Sequence, residues 1–349
     1  MNHSKNATAS GQLPRRGDFG GQALVGPFEP DARSMHSDTP LFGMPPEALY
    51  AWGTLRDDQG DLHTIMRRIP HNGKADSRRR LVVQSTIGGQ SDLRRHKSGL
   101  GAAPHTDPIR ELIDNDTIEW RSNPDVDGAP FRLRWANETC EWVEEGIFDL
   151  KGTLIKPGMQ WCVPGQRSGL AYIATIYLLE GTIFGRPCRG LIGLDQIHMY
   201  EGGEVYQTLD PLIEDGLEHL WYTWATIYKD GSLEAGHFML GNERFGFGIL
   251  TDEHGNVTVD TDVDGEVTYG DDGYWQTGAT FNFAGKQYEF LPDDRGRMPD
   301  LGPIPNPQVD GRWRQVGDTR EPDVWFAWGE AVPANGPRPR RRKSDGTGA

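Results

Sequence analysis

The chain has little of what staples, spans or grips nucleic acid. It carries three cysteines in 349 residues, Cys140, Cys162 and Cys188. They cannot all pair with one another, and their spacing fits no zinc or redox motif, so free thiols in a reducing compartment are expected. No run approaches the ~18 apolar residues of a membrane helix. The opening MNHSKNATASGQLPRRGDFGG lacks the apolar segment of a secretory signal. Cytoplasmic localisation without membrane insertion is the expectation. Positive charge is also short: 36 Lys and Arg stand against 51 Asp and Glu, a net charge of −15. Phosphate binding needs clustered cations, so no nucleic-acid partner is expected. The local basic runs Arg78-Arg79-Arg80, Arg94-Arg95-His96-Lys97 and Arg338 to Lys343 read as solvated segments. There is no G-x-G-x-x-G after a strand, no P-loop, no H-E-x-x-H and no G-x-S-x-G elbow. The expectation is a protein with neither cofactor nor metal.

What the chain does have is glycine and aromatic residues: 45 Gly, 11 Trp, 10 Tyr and 13 Phe. Glycine at roughly twice its usual frequency points to turns and bulges rather than long helices. The aromatics exclude a disordered chain. Residues 1–38 are polar and without period and read as an unstructured leader, and 333–349 as a basic disordered tail. Between them, short β-branched and aromatic runs are separated by turn dipeptides, as in a sandwich or barrel. Asp57-Asp58-Gln59-Gly60 reads as the turn of a first hairpin, and residues 86–117 as a long loop with a short helix. Leu209 to His219 suggests a helical turn. The expected fold is all-β and antiparallel, with an N-terminal domain over 39–155 and a C-terminal domain over 156–332 that carries the site. Asp260-Thr-Asp262-Val-Asp264-Gly265 begins like a calcium loop, but its twelfth position is Asp271 and strands flank it. Asp264-Gly265 therefore reads as a hairpin turn.

Two stretches carry candidate chemistry. In WYTWATIYKDGSLEAGHFML, Trp221 to Leu240, a two-residue turn at Asp230-Gly231 would set Trp224 opposite His237. Alternation would then group Tyr222, Trp224, His237 and Met239 on one face and Trp221, Phe238 and Leu240 on the other. Neither face is polar throughout, so both are expected to be covered. Apolar walls around a few polar groups have the character of a ligand cavity. In RPCRGLIGLDQIHMY, Arg186 to Tyr200, Arg189, Asp195 and His198 interrupt an apolar strand, where charges are paired or functional. Asp195 and His198 share a face only if a bulge intervenes. The blander readings are a satisfied core histidine at 237 and a structural Arg–Asp pair. Trp313, Arg314, Arg320, Trp325 and Trp328 read as a closing strand.

The hairpin WYTWATIYKDGSLEAGHF and the strand GLIGLDQIHMY, within two successive β-rich halves free of cofactor motifs, resemble two-domain lipocalin-like proteins. These are the carotenoid 1,2-hydratase and AttH type, with related fungal Diels–Alderases. The resemblance implies two lipocalin-like barrels and cofactor-free addition, elimination or rearrangement on a hydrophobic substrate. The resulting expectation is a cofactor-independent lyase: a hydratase or dehydratase, a cyclase, or an aldehyde-releasing enzyme. Its substrate would be a small aromatic, terpenoid or steroid-like compound, as in aromatic catabolism. His237, Asp195 and His198 would move protons and Tyr222 would donate or orient. Trp221, Trp224, Arg189, Met239 and Trp275 would hold the substrate. The rival is a carrier that binds the same ligands without chemistry. A homodimer is left open.

Overall fold

The computed structural model describes residues 24–32, 35, 40–70, 81–96, 109–125, 129–163, 169–214, 217–241, 245–301 and 306–334. The leader before residue 24, the run Arg78-Arg79-Arg80, the turn Pro164-Gly165 and the basic tail lie outside them. Of the described residues, 66% are in strands and 2% in helix, and the strands curl into two antiparallel half-barrel sheets. Among the described residues no helix is long and apolar enough to cross a membrane.

The first sheet holds β1 (Leu24–Phe28), β2 (Pro46–Asp57), β3 (Leu62–Pro70), β4 (Leu81–Ser85), β5 (Arg94–Arg95), β6 (Ile109–Asp114), β7 (Thr117–Arg121), β8 (Phe131–Ala136), β9 (Thr139–Glu144), β10 (Phe148–Val163), β11 (Leu170–Ile183) and β12 (Arg186–Met199). Its spatial order is β5-β4-β3-β2-β12-β11-β10-β9-β8-β7-β6, with β1 on β10. The second sheet holds β13 (Leu220–Tyr228), β14 (Leu233–Leu240), β15 (Gly246–Asp252), β16 (Val257–Asp260), β17 (Asp264–Tyr269), β18 (Gln276–Phe283), β19 (Lys286–Arg297), β20 (Gln308–Gln315) and β21 (Pro322–Ala331). Its order is β16-β15-β14-β13-β21-β20-β19-β18-β17. One helical turn, α1 (Pro211–Glu214), lies in the connection between the sheets, where a turn was expected.

Several boundaries differ from the reading of the sequence. The division falls between Met199 and Leu220 rather than near residue 155, because β10, β11 and β12 extend the first sheet. Those strands have the same long, apolar, β-branched character as the later ones, so composition does not change where the sheets part. Leu24–Phe28 lies in the stretch read as leader, yet pairs with Gly158–Cys162 of β10. The stretch 86–117 supplies β5, β6 and the start of β7, with no helix among its described residues. Asp264 and Gly265 are paired strand residues opposite Asn282 and Phe281. The turn precedes them, where Asp260 accepts the Asp262 and Ala284 N–H groups.

Strands β2, β11, β12, β13, β14 and β21 are buried on both faces, and alternation sends their side chains into three cores. Ala51, Leu55, Ile192 and Leu194 fill the first half-barrel. Tyr222, Trp224, Phe238 and Leu240 fill the second. Trp52, Tyr172, Leu191, Ile197, Trp221, Phe326 and Trp328 meet between the sheets. At ~25 cal/mol per Å² of apolar surface, this third core is what joins the halves. Arg56 adds a polar clasp, reaching from β2 over the Trp325 ring at 4.0 Å and donating to the Trp325 carbonyl at 2.5 Å.

Candidate functional site

Asp195 sits in the middle of β12, between Ala174 of β11 and Tyr50 of β2. Alternation places it with Leu191, Gly193 and Ile197 on the face toward the second sheet. Gly193 stands opposite Trp52, and a Cβ there would lie 3.0 Å from the indole ring. Its missing side chain is what lets the Trp52 ring lie across the strand. Trp52 Nε1 and the Tyr172 hydroxyl both donate to Asp195 Oδ2. Asp195 Oδ1 has no hydrogen-bond partner, although the residue is only 1% exposed. Burial raises its pKa, and the Tyr172 and Trp52 hydrogen bonds pull it back, leaving it at about 7. A carboxyl balanced near neutrality can both take and give a proton.

Asp195 opens on a cavity of about 70 Å³ between the sheets, walled by Trp52, Tyr172, Trp221, Trp328, Tyr50 and Tyr206. A water needs about 10–15 Å³ on this measure, so the space takes a few waters or one small organic group. The aromatic walls interlock. Trp52 meets the Trp328 ring edge-on at 5.2 Å and lies 6.0 Å from Trp221, while Tyr172 stacks on Trp161 at 4.7 Å. At the rim, the Tyr50 hydroxyl accepts from Arg68 Nε at 2.8 Å, and Arg68 pairs with Glu47 and, at 3.4 Å, with Glu204.

A second group of carboxyls is linked to the same space through Gln308, which lines it and bonds to Glu330. Glu330 of β21 is the cross-strand partner of both Trp221 and Gln308, so it shares their face. Gln308 Nε2 donates to Glu330 Oε2, and Trp328 Nε1 donates to Gln308 Oε1 at 2.9 Å. Glu218, two residues before β13, accepts from Asn306 Nδ2 at 2.9 Å. The Glu218 and Glu330 carboxyls meet within hydrogen-bonding reach of each other, which requires a proton between them. Burial first, then mutual and Asp210 charge, raises Glu330 well above its ordinary value, and burial raises Glu218 to about 7. Among the described residues no group of three His, Cys, Asp or Glu side chains is placed to hold a metal ion.

Compared with known proteins, the chain is similar in structure to an AttH protein of Nitrosomonas europaea, at 13% identity over 82% of this chain and 92% of that one, TM-score 0.42. It is similar to CghA in complex with Sch210972, at 10% identity over 82% and 88%, TM-score 0.44. It is also similar to kievitone hydratase from Nectria haematococca, at 5% identity over 87% and 94%, TM-score 0.41. No family model and no curated protein matches it in sequence. At these identities the likeness is one of fold and assigns no activity to the chain.

The structure separates the residues that the sequence grouped. The β13–β14 loop is Lys229-Asp230-Gly231: Gly231 N–H bonds to the Tyr228 carbonyl and Tyr228 N–H to the Ser232 carbonyl, with Gly231 at φ 86°. This is a three-residue loop ending in a left-handed glycine rather than a two-residue turn. The extra residue shifts the register by one, so His237 opposes Thr223 and Trp224 opposes Gly236. Trp224 and His237 therefore lie on opposite faces. Both faces are covered, as expected, but with exchanged members. His237 shares the inter-sheet core with Trp221 and Met239. Tyr222 and Trp224 point into the second half-barrel, where Tyr222 accepts from Gln276 Nε2 at 2.9 Å.

His237 lies one layer behind the cavity wall. Its Nδ1 meets Thr223 Oγ1 at 2.9 Å, its ring packs edge-on against Trp221 at 4.6 Å, and burial depresses its pKa to about 3. It is a neutral core histidine. β12 pairs with β11 in unbroken register, so His198 faces away from Asp195, with Nδ1 3.2 Å from the Met44 carbonyl. Arg189 is half-exposed and pairs with Asp323 at 2.6 Å across the sheets. Trp275 packs beside the second half-barrel core under Arg297, 5.7 Å away. Arg320, just before β21, lies over Tyr228 and pairs with Asp318 and Glu234. Of the candidates, Asp195 and Trp221 line the cavity. Trp52 and Tyr172, which also line it, were missed, as were Glu218 and Glu330 behind Gln308, because pairings between distant segments bring them together and no local pattern announces these.

Proposed function

We propose that the chain is a cofactor-independent lyase of the hydratase or dehydratase kind, acting on a small apolar compound that carries one oxygen function. The observation that carries this reading is Asp195 Oδ1, a buried carboxylate oxygen with no partner, in a cavity walled by aromatic rings. An unmade hydrogen bond at a charged group costs more than the ~1–3 kcal/mol of a neutral one, and a substrate O–H or C–H next to oxygen would relieve it. Asp195 then transfers the proton, held in orientation by Trp52 and Tyr172 through Oδ2. Trp221 and Trp328 exclude water and face any positive charge that develops on carbon. Acid–base groups of this kind contribute about 10²- to 10⁴-fold in rate.

The test uses cumyl alcohol, a tertiary alcohol on one aromatic ring, and its dehydration product α-methylstyrene, followed in both directions by mass spectrometry with deuterium incorporation from D₂O. Catalysed conversion that falls at least about 100-fold in Asp195→Asn, with binding of the alcohol little changed, supports the proposal. Binding by the native chain with neither conversion nor deuterium exchange makes it a carrier.

A further inference from the structure

The carboxyls Glu218 and Glu330 are 1% and 0% exposed, and among the described residues neither pairs with a Lys or Arg. Each has one oxygen bonded to an amide, from Asn306 and Gln308. The other oxygens, Glu218 Oε2 and Glu330 Oε1, meet no donor from elsewhere in the protein. Two buried carboxylates cannot both stay ionised at such separation, so they hold a proton between them. Asp210, Tyr206, Tyr172 and Tyr222 act on the pair; all four are acids, so none of them neutralises it. For stability alone, amides at 218 and 330 would serve better.

The pair is connected to the cavity. Gln308, bonded to Glu330, lines it, and so does Tyr206, whose phenol lies beside Glu330. Tyr206 is held in a left-handed conformation, φ 63°, which a non-glycine residue rarely adopts. Asp210 maintains it by accepting the Tyr206 N–H at 2.5 Å and the Leu212 N–H at 2.8 Å. The backbone strain holds the Tyr206 hydroxyl between the pair and the cavity.

We propose that the Glu218–Glu330 pair is the proton store of the cavity and that Tyr206 is its outlet, so that acid and base are separate groups on opposite walls. This rests on the reading of Asp195 as the proton-transfer group. In dehydration, Tyr206 gives its hydroxyl proton to the substrate oxygen as the C–O bond breaks and the electron pair leaves with water. The Tyr206 oxygen takes the bridging proton from the pair. Asp195 removes the proton from the adjacent carbon, whose C–H electrons form the C=C bond. The proton on Asp195 returns to the pair through water, and hydration is the reverse. Tyr206 and Asp195 touch substrate; Glu218 and Glu330 act through Tyr206.

Infrared spectra of the full chain without ligand test the store directly. The native protein should show a protonated-carboxyl C=O band, shifted in D₂O, that persists above the ordinary carboxyl range. Glu330→Gln and Glu218→Gln should each remove the same component of it, beside those of Asp195 and Asp310, whereas Asp195→Asn should keep that component. Identical spectra in the native chain and in whichever of the two Gln variants folds overturn the proposal, whatever Asp195 does. With cumyl alcohol, Tyr206→Phe and Glu330→Gln should each slow turnover at least about tenfold. Glu330→Gln should also abolish the alkaline fall in rate that marks loss of the shared proton. A Glu330→Gln profile parallel to the native one, with only a lower Tm, shows the pair to be structural and overturns it. Loss of Asp195 dependence with the infrared band intact rejects the lyase reading while leaving the store in place.

Discussion

Tyr172 and Tyr222 are both buried tyrosines among aromatic rings, one between the sheets beside Trp161 and Trp221 and one inside the second half-barrel. Tyr222 packs against Phe290 and Trp313 at 4.6 and 5.6 Å and bonds to the neutral Gln276. Tyr172 bonds to a carboxylate that has an oxygen to spare. Unpaired indole N–H groups occur in both places, at Trp224 and Trp313 in the barrel and at Trp221 by the cavity, so they do not tell the two apart. Aromatic density does not either. The barrel interior is closed by Phe238, Phe281 and Trp313, with Phe238 stacked on Phe281 at 4.1 Å. Carboxyls without a cation, Asp195 and the Glu218–Glu330 pair, lie at the seam between the sheets, whereas the buried Glu144 of the first half-barrel is paired with Arg67. The difference teaches that the abundant aromatics build walls, while carboxyls that lack cations mark where chemistry belongs.

The comparison is broken most forcefully from the barrel side. Trp224→Ala should lower stability by about 3–5 kcal/mol, the cost of emptying a well-packed aromatic site, read from urea midpoints. Whatever folds should keep its turnover per folded molecule. Next is Asp195→Asn, with turnover down at least about 100-fold and a pH signature in stability. The Asp195 pKa is raised on folding, so its contribution is full below the unfolded value near 4 and is lost as pH rises toward about 7. The native chain should therefore weaken over that window relative to Asp195→Asn, and equal slopes would show that Asp195 is ionised throughout. A smaller effect is expected from Tyr222→Phe, about 1 kcal/mol for one hydrogen bond, with turnover unchanged. The smallest effect on turnover is that of His237→Gln, which should stay within a few-fold of the native rate. Its trace is in stability: a depressed imidazole contributes stability above its unfolded pKa of about 6.5 that is lost as pH falls toward about 3. Urea midpoints at two pH values should show the native chain losing more than the variant on acidification.

The architecture was legible because strand signals are local. Turn dipeptides and β-branched runs gave the antiparallel class, the first hairpin at Asp57–Gly60 and the helical turn at Pro211–Glu214. The hairpin at Asp230-Gly231 shows the limit: two- and three-residue loops can share the same dipeptide, and one residue of difference exchanges every side chain between faces. His237 lost its role through that single step. Asp195 was legible because a carboxylate within GLIGLDQI is costly unless used. Its donors were not, since Trp52 and Tyr172 are joined to it only by strand pairing. Glu218 and Glu330 resembled ordinary surface acids in sequence; the β21 register sets Glu330 beside Gln308, and Asn306, two residues earlier, holds Glu218.

That register has a consequence for how the molecule is made. The Trp52–Asp195 contact closes 143 residues of chain, and β13 finds its partner β21 only near the end, pairing Leu220 with Ala331. Contacts so distant in sequence slow folding, because long loops must close before their pairings are rewarded. During synthesis β2 emerges long before β12, and β13 before β21. The apolar edges of both strands wait unpaired, and the cavity exists only after the last strand has slotted into the middle of its sheet.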